Sequence, residues 1–444
     1  MNTYKNISFL MICFLAGFVI DPVEAQDSLS LEQAFEIALN NNYDLQVSRN
    51  SNEQLKNLAT KGNAGLLPSL QANGNFSYSN NSVLVEFAPQ SMTPEIRQSG
   101  AATWVLAGSL DLNYTIFNGF SGMRNYQRLR LNAERGDEQT RQAIEGVLIN
   151  VARSYYALAQ LSLALDLSRQ NLQISYERLE RAENKNEFGV ANKLEVLNAQ
   201  VDINTDSVSV INAEINLENA KRDFNQLLGR AIEVDYEVSR QMSGGMNLSR
   251  EEILKSAEAN NIDLILARSN KNLAVLDKKI NESSRMPRLN ASASYGYNRT
   301  DNEFGFTVLN RTNGLTLGLN LVFDIYGGGQ KNTQIQNAKI AVNNADVQYN
   351  SVLSQIKRDV INAYRLYESN RFILQVEEQS VVTARANFDR TKEQFGFGQI
   401  NNTQFREAQL NLLNAQNRLN NAAYNLKISE IELIKLKGDV LNQE

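Results

Sequence analysis

Histidine is absent from the 444 residues, and cysteine occurs once, at position 13. Without histidine the chain lacks the commonest general base and metal ligand, and a single thiol can form neither an internal disulfide nor a thiolate metal cluster. The sequence also has no nucleotide-binding motif and no pair of carboxylates at a repeated strand end. We therefore expect no enzyme, no cofactor, and no catalytic or metal-binding residue.

An excess of basic residues and long apolar runs are missing as well. The formal net charge is −5, which disfavours a nucleic-acid partner. A transmembrane helix needs a run of about 18 apolar residues, and no run after the N-terminal segment is that long. Residues 1–25 combine Lys5 with a short apolar run and end in small residues, which is typical of a secretory signal peptide. We expect an exported mature chain that starts at Gln26.

The same unit occurs twice along the chain. The segment that starts at Leu29 aligns without a gap with the segment from Leu248, and after a loop of different length the alignment resumes at Leu112 and Leu321. Such self-similarity indicates one structural unit repeated in tandem. The predicted divisions are the signal peptide (1–25), repeat 1 (26–229), an inter-repeat linker or equatorial segment (230–247), repeat 2 (248–438) and a C-terminal tail (439–444).

Each repeat shows the order helix, β-hairpin, long helix and return helix. Apolar and polar residues alternate in the hairpins, as in half-exposed strands, and the long stretch that follows has few glycines and no proline. In repeat 1 we predict an opening helix (29–66), a hairpin (about 68–117), a long helix (about 120–187) and a return helix (about 193–228). In repeat 2 the corresponding ranges are 248–285, about 287–326, about 329–395 and about 400–437. The helix-strand junctions are Pro68, Gly119, Pro287 and Gly328.

Helix lengths predict rods. A helix of about 67 residues is on the order of 100 Å long, far longer than the helices of an ordinary domain. The opening and return helices together have about the same length as the long helix. We therefore expect them to stack end to end beside it.

The strands raise the question of assembly. One chain offers four strands, whereas about eight are the practical minimum for a barrel. Three chains with four strands each would close a 12-stranded barrel, apolar residues facing lipid and polar residues facing a water-filled lumen. Alternation of period two cannot distinguish lipid from a protein core. The residues alone therefore leave open a soluble periplasmic coiled-coil structural or adhesion protein without a lumen.

Several segments, in this order and in both repeats, resemble the TolC-type outer-membrane efflux proteins. They are the opening "LSLEQAFEIALNNNYDL", the junctions "LLPSL", "RMPRL", "IFNGF" and "IYGGG", and the turn-helix segments "FGVANKLEVLNAQ" and "FGFGQINNTQFREAQL". The resemblance covers essentially the whole mature chain. It implies an α+β membrane protein, a homotrimer with a 12-stranded β-barrel in the outer membrane of a Gram-negative bacterium and an α-helical coiled-coil tunnel in the periplasm.

The resemblance also implies a function and partners. It implies a passive exit duct for a tripartite efflux pump or a type I secretion system. The partners would be outer-membrane lipid, a periplasmic adaptor (membrane fusion) protein that opens the periplasmic tip, and an inner-membrane pump of the RND or ABC type.

Carried over by position, the family's adaptor-docking tip turns correspond to Phe188, Gly189, Val190 and Ala191 in repeat 1 and to Phe397, Gly398, Gln399 and Ile400 in repeat 2. The family often narrows its tunnel with acidic residues six and nine positions after the second turn glycine, where this chain has Gln404 and Glu407. Repeat 1 offers Glu195. The family member with the best-known gate locks its tip with a tyrosine and an arginine, and this chain has Phe395 and Ile400 at those places. We therefore expect the tip of this protein to close by apolar packing. Ordinary helix capping at the glycines and a solvated face at Glu407 are the alternatives.

Overall fold

The computed structural model describes residues 28–88, 95–189, 192–240 and 249–440. The predicted signal peptide, Val190 and Ala191, and parts of the linker and the tail lie outside the described residues. The elements up to the linker are β1 (Ser28–Leu29), α1 (Leu31–Asn41), α2 (Tyr43–Leu58), β2 (Ser69–Glu86), β3 (Glu95–Phe117), α3 (Ser121–Glu187) and α4 (Lys193–Leu228). Those that follow are β4 (Glu237–Val238), α5 (Arg250–Asn260), α6 (Ile262–Ser283), β5 (Arg288–Asn302), β6 (Leu309–Val322), α7 (Gln330–Gly396) and α8 (Asn402–Lys437).

The structure divides each opening helix, which the sequence predicted as continuous, into two. The divisions fall at Asn42 and Asn261, residues at equivalent positions of the two repeats. Each asparagine has an extended ψ and caps the helix that follows it, because its side-chain oxygen accepts a hydrogen bond from the backbone N–H of Leu45 or Leu264. Asparagine is among the preferred N-cap residues, and it starts a new helix where the amphipathic pattern continues.

The same asparagines connect the opening helices to the return helices. The side-chain amide of Asn42 donates to the carbonyl oxygen of Leu227 at 2.7 Å, and that of Asn261 donates to the carbonyl oxygen of Leu436 at 3.2 Å. Carbonyls in the last turn of a helix lack intrahelical partners, so these bonds complete the C-terminal ends of α4 and α8. The return helices therefore abut the opening helices while α3 and α7 run beside both.

Glycine makes this close approach possible. Gly229 and Gly438 end α4 and α8 with φ of 71° and 75°. A Cβ atom at Gly229 would collide with the backbone of Asn41, and one at Gly438 would lie 2.5 Å from the carbonyl oxygen of Asn260. Both the left-handed backbone and the contact therefore require glycine.

Each repeat has its own core around this junction. The two apolar clusters use equivalent positions of the repeats, where buried side chains of the opening, long and return helices meet. The matched pairs are Leu45 and Leu264, Val151 and Val360, Leu158 and Tyr367, and Phe224 and Leu433. The cores thus lie at mid-height of the helices, where three elements meet.

The hairpins of the two repeats join in one four-stranded sheet with the order β2-β3-β5-β6. All neighbouring strands are antiparallel. One face carries apolar rows such as Leu70, Leu112, Ala293 and Leu317, and the other carries polar rows such as Gln71, Asp111, Ser294 and Thr316. Within the described residues the sheet is open, with β2 and β6 unpaired at its edges. None of the described helices has the length and apolar character needed to cross a membrane.

The predicted junction residues lie where strands meet helices. Pro68 and Pro287 directly precede β2 and β5, and Gly119 and Gly328 have φ of 66° and 61° between a strand and a long helix. A Cβ atom at Gly119 would lie 2.6 Å from the carbonyl oxygen of Ser283, which excludes larger residues there.

Replacement of Gly229 by alanine should destabilise the helical part more than replacement of Gly189. Both residues have positive φ, but only Gly229 has backbone within reach of an added Cβ, whereas the space around Gly189 is open. We expect Gly189→Ala to cost about 1 kcal/mol and Gly229→Ala on the order of 2 to 4 kcal/mol, because the second must also shift the abutting helix. Thermal unfolding followed by circular dichroism measures the difference. Equal midpoints for the two variants would contradict the close junction.

Candidate functional site at the helix tips

The turn between α3 and α4 contains the first set of predicted tip residues. Phe188 caps the C-terminal end of α3, and Gly189 follows with φ of 73°. The return helix restarts at once, because the Asn192 side chain accepts a hydrogen bond from the N–H of Leu194 at 3.2 Å. Val190 and Ala191 lie outside the described residues.

The turn between α7 and α8 has the same construction. Gly398 has φ of 72°, and the N–H of Gln399 donates to the carbonyl oxygen of Gln394 at 3.0 Å, which closes the end of α7 as in a Schellman motif. Helix capping is thus one role of the turn glycines. Ile400 packs against the apolar cluster between α7 and α8.

Two phenylalanines at these turns have largely exposed side chains. Phe188 is 79% exposed and Phe397 is 81% exposed, and they occupy equivalent positions of the two repeats. A large apolar side chain at the end of a rod contributes nothing to its own core. Paired exposure at both turns is typical of a surface that binds a partner.

Gln404, predicted at the constriction, has a structural role at the start of α8. Its N–H donates to the side chain of Asn401 at 2.9 Å, and the N–H of Asn401 donates to the Gln404 side chain at 3.1 Å. This reciprocal pair is a capping box. The spacing of Asn401 and Gln404 is the sequence signature of this motif, which was not predicted.

Phe395 lies in the apolar cluster between α7 and α8. Its ring stacks on Phe405 with centroids 4.6 Å apart, and the tilted ring of Phe388 lies 5.6 Å from that of Phe405. The ammonium of Lys185 in α3 lies 4.9 Å from the Phe395 ring centroid, a cation–π distance. At this level the rods hold together by ring packing.

The two predicted acids differ in their surroundings. Glu407 is exposed on α8, and no hydrogen bond or ion pair engages its side chain within the described chain. Glu195 is half-buried in the first turn of α4, and its carbonyl oxygen accepts a hydrogen bond from the Asn402 side chain at 3.5 Å. That contact brings the tips of the two repeats together.

Sequence reasoning missed a buried polar network a few turns from the tips. Arg406 of α8 binds Asp206 of α4 through two hydrogen bonds of 2.8 Å, and Ser175 of α3 donates to Asp206 at 2.6 Å. Arg178 of α3 pairs with Asp202, which also lies 3.7 Å from Arg406. Two arginines and two aspartates thus connect α3, α4 and α8, across the boundary between the repeats.

Burial gives the network its energetic weight. Arg178 is 1% exposed, and burial lowers the pKa of its guanidinium, an effect that the carboxylate of Asp202 opposes. Arginine remains charged in proteins, so a buried guanidinium requires its carboxylate partner. Polar side chains at 406 and 409, on either side of the apolar seam residue Ala408, are the signal that could have revealed the network.

Three comparisons with known proteins agree. The family model described as outer membrane efflux protein matches residues 34–230 and 253–439. The chain is 22% identical to the outer membrane protein TolC of Escherichia coli (strain K12) over 99% of this chain and 87% of that protein. It is 20% identical to the alkaline protease secretion protein AprF of Pseudomonas aeruginosa, over 94% and 85%. The fold superimposes on the Campylobacter jejuni CmeC outer membrane channel with a TM-score of 0.77 and 18% identity, over 92% and 85% of the chains.

Replacement of Asp206 by asparagine should lower thermal stability markedly. The substitution removes one carboxylate from a buried pair and leaves Arg406 without its bidentate partner, a loss of about 3 to 5 kcal/mol. Glu214→Gln is the matched control, because the ion pair of Glu214 with Arg169 has a similar length of 2.7 Å but both side chains are exposed. There we expect a change below about 1 kcal/mol. Circular dichroism melts compare the variants, and equal effects would contradict the role of burial.

Proposed function

The chain belongs to the outer membrane efflux protein family, and we propose that three copies enclose one continuous duct. The protein is an outer-membrane channel that acts as a passive exit duct, with its helical part in the periplasm of a Gram-negative bacterium, and it is not an enzyme. A soluble coiled-coil protein should pack its apolar strand face internally. Instead, Leu317 and Leu319 are 72% and 73% exposed.

The open sheet is the observation that carries the trimer. One chain presents an apolar face, a polar face and two unpaired edge strands. Unpaired edges and apolar faces are unfavourable in water, and a closed barrel in lipid removes both problems. Three copies with four strands each give 12 strands, an even number within the range of outer-membrane barrels. The polar face, which includes Asp111 and Ser294, would then line the lumen.

The long helices would continue this lumen through the periplasm. α3 and α7 contain 67 residues each, which corresponds to about 100 Å of helix. The sequence contains no nucleotide-binding motif, and in this proposal an inner-membrane pump of the RND or ABC type supplies the energy for export. Its cargo moves along a water-filled path.

The helix tips are the proposed contact with the periplasmic adaptor. Phe188 and Phe397 offer two exposed rings per chain, backed by the left-handed turns at Gly189 and Gly398. Aromatic anchors that fill pockets of a partner commonly dominate binding energy. Gln399 and Ile400 complete the second turn of the proposed docking surface, and Val190 and Ala191 belong to it by their place in the sequence.

The proposed constriction lies just inside the tips. Glu407 is exposed and has no counterion within the described chain, and three copies around a three-fold axis would concentrate negative potential there. Such a ring favours cations. Glu195 and Gln404 occupy equivalent positions of the two repeats and would add an acid and an uncharged amide, and Phe395 belongs to the neighbouring cluster around Phe405.

Purified protein reconstituted in planar lipid bilayers should conduct ions as a trimer. Size measured in detergent should correspond to three chains, because an open four-stranded sheet is not a stable end point. Absence of conductance, or a monomer in detergent, would contradict the duct.

The same recordings can test the constriction. Glu407→Ala should lower the preference for cations over anions, since it removes three charges from one ring. Glu214→Ala serves as the control, because it removes an exposed acid of the return helix α4 that pairs with Arg169 of α3. Unchanged selectivity in the Glu407 variant would refute its assignment.

Double replacement of Phe188 and Phe397 by alanine should weaken adaptor binding by about two orders of magnitude. The reason is the loss of two apolar anchors of about 1.5 to 3 kcal/mol each, partly offset by remaining contacts. Surface plasmon resonance with the periplasmic adaptor protein that works with this channel measures the change. Replacement of Phe120 by alanine, an exposed ring at the opposite end of α3, is the control. Both proteins should conduct alike, and equal affinity would exclude the tips as the docking surface.

A further inference from the structure

Two arginines face each other on the apolar side of the sheet. Arg299 of β5 is directly opposite Arg311 of β6, and the same row continues through Leu106 of β3 to Phe76 of β2. Directly opposed residues in antiparallel strands have Cβ atoms about 4.5 to 5.5 Å apart. Like charges at this separation are destabilising, so their presence on this mainly apolar face, where Asp301 lies in the next row, requires a reason.

The fold itself does not require the pair. In repeat 1 the equivalent positions are Asn80 and Ala102, which are also directly opposite each other, in the β2–β3 ladder. The same strand geometry is therefore built without any charge. The basic pair is a property of the second hairpin alone.

Within the described residues, only one N–H group of these two guanidinium groups donates a hydrogen bond. Arg299 uses Nε to donate to the Asp301 carboxylate at 2.8 Å, which leaves its two terminal nitrogens without a hydrogen bond in the described part of the chain. Arg311 is exposed, and no contact with an acid or a hydrogen-bond acceptor is present for it among the described residues. The pair therefore retains donors that point to an anion from outside.

The height of the pair on the sheet indicates which anion. The apolar face begins at Leu289, and Arg299 follows ten residues later, about 34 Å along the strand. With a strand tilt of about 40°, this corresponds to about 25 Å, the height of the apolar band of an outer-membrane barrel. The pair lies at the end of the sheet away from the helices, which is the outer leaflet.

Aromatic residues mark the same level. Trp104 contacts Tyr78 with ring centroids 4.4 Å apart and Phe76 with centroids 5.9 Å apart. Phe76 shares the row of the arginines, and Tyr78 and Trp104 share the next row outward. Aromatic girdles lie at the boundary between acyl chains and head groups. In the proposed barrel the arginines would thus lie near the depth of lipid phosphates.

We propose that Arg299 and Arg311 bind the phosphate group of an outer-leaflet lipid, whose acyl chains lie along the leucines of β6. The inference rests on the proposed barrel. Planar guanidinium groups bind phosphate oxygens through paired, charge-assisted hydrogen bonds. Asp301 orients Arg299 through Nε and leaves its terminal nitrogens for the lipid. An anion between the two guanidinium groups removes their repulsion.

Binding of lipid A to the delipidated trimer in detergent tests the proposal. The probes are lipid A with both phosphates, dephosphorylated lipid A and inorganic phosphate, and native mass spectrometry measures occupancy. We expect bisphosphorylated lipid A to bind the wild-type protein and the double variant R299Q/R311Q to bind it about tenfold or more weakly. R288Q is the control, because Arg288 lies on the same strand but at its opposite end and on the polar face.

Three results would overturn the lipid site. They are equal binding of dephosphorylated lipid A, full competition by inorganic phosphate, and unchanged affinity in the double variant. A lower melting temperature of R311Q in lipid-free detergent would assign the charge to a contact within the protein and would also exclude the proposal. R311Q keeps the pair of Arg299 with Asp301 and so tests Arg311 with little change to the fold. Bilayer conductance of each variant distinguishes this failure from failure of the duct.

Discussion

The hydrogen bond from Asn42 to the last turn of α4, with its counterpart from Asn261 to α8, is the contact on which the long rods depend. A helix end normally exposes unpaired carbonyls, and a buried end without partners is unfavourable. Here one side chain caps the helix that begins and completes the helix that ends. Gly229 and Gly438 allow the backbones to meet. A return helix of 36 residues and the helix that begins at the asparagine thereby run along most of one helix of 67 residues.

The rods transmit constraints from the sheet to the tips. The same long helices that begin at the strand ends carry the exposed rings of Phe188 and Phe397 at their far ends. Between these ends, the network of Arg178, Asp206 and Arg406 joins the repeats by charge, and the cluster around Phe405 joins them by packing. Movement of the tips must therefore break one kind of contact or the other. Separation of buried charges is the more expensive of the two.

The sequence predicted features that depend on local pattern. The scarcity of glycine and the absence of proline indicated the long helices, and the two Phe-Gly turns indicated where they reverse. The break at Asn42 escaped prediction because the apolar periodicity continues across it, and only the contact with Leu227, 185 residues away, reveals the cap. The same limit applies to Arg406 and Asp206, which are 200 residues apart in the chain. Gln404 also forms a capping box with Asn401, a role that sequence reasoning did not assign. The proposed closure of the sheet would involve other chains, so the residues of one chain indicate the strands but not the closed barrel.

Strands β2 and β6 each leave one edge of the sheet unpaired, and these two edges affect how the proposed trimer would assemble. They differ in sequence, so contacts between copies join one edge to the other in a head-to-tail manner, and such contacts either close into a ring or continue without end. In the proposed ring, a dimer leaves as many free edges as a monomer does, and only the third chain removes them. A dimer would therefore gain little stability over a monomer, and closure of the ring by the third chain should be cooperative. A cell with too few copies would then hold vulnerable single chains instead of partial pores, and protection of their edges on the way to the membrane becomes part of making the channel.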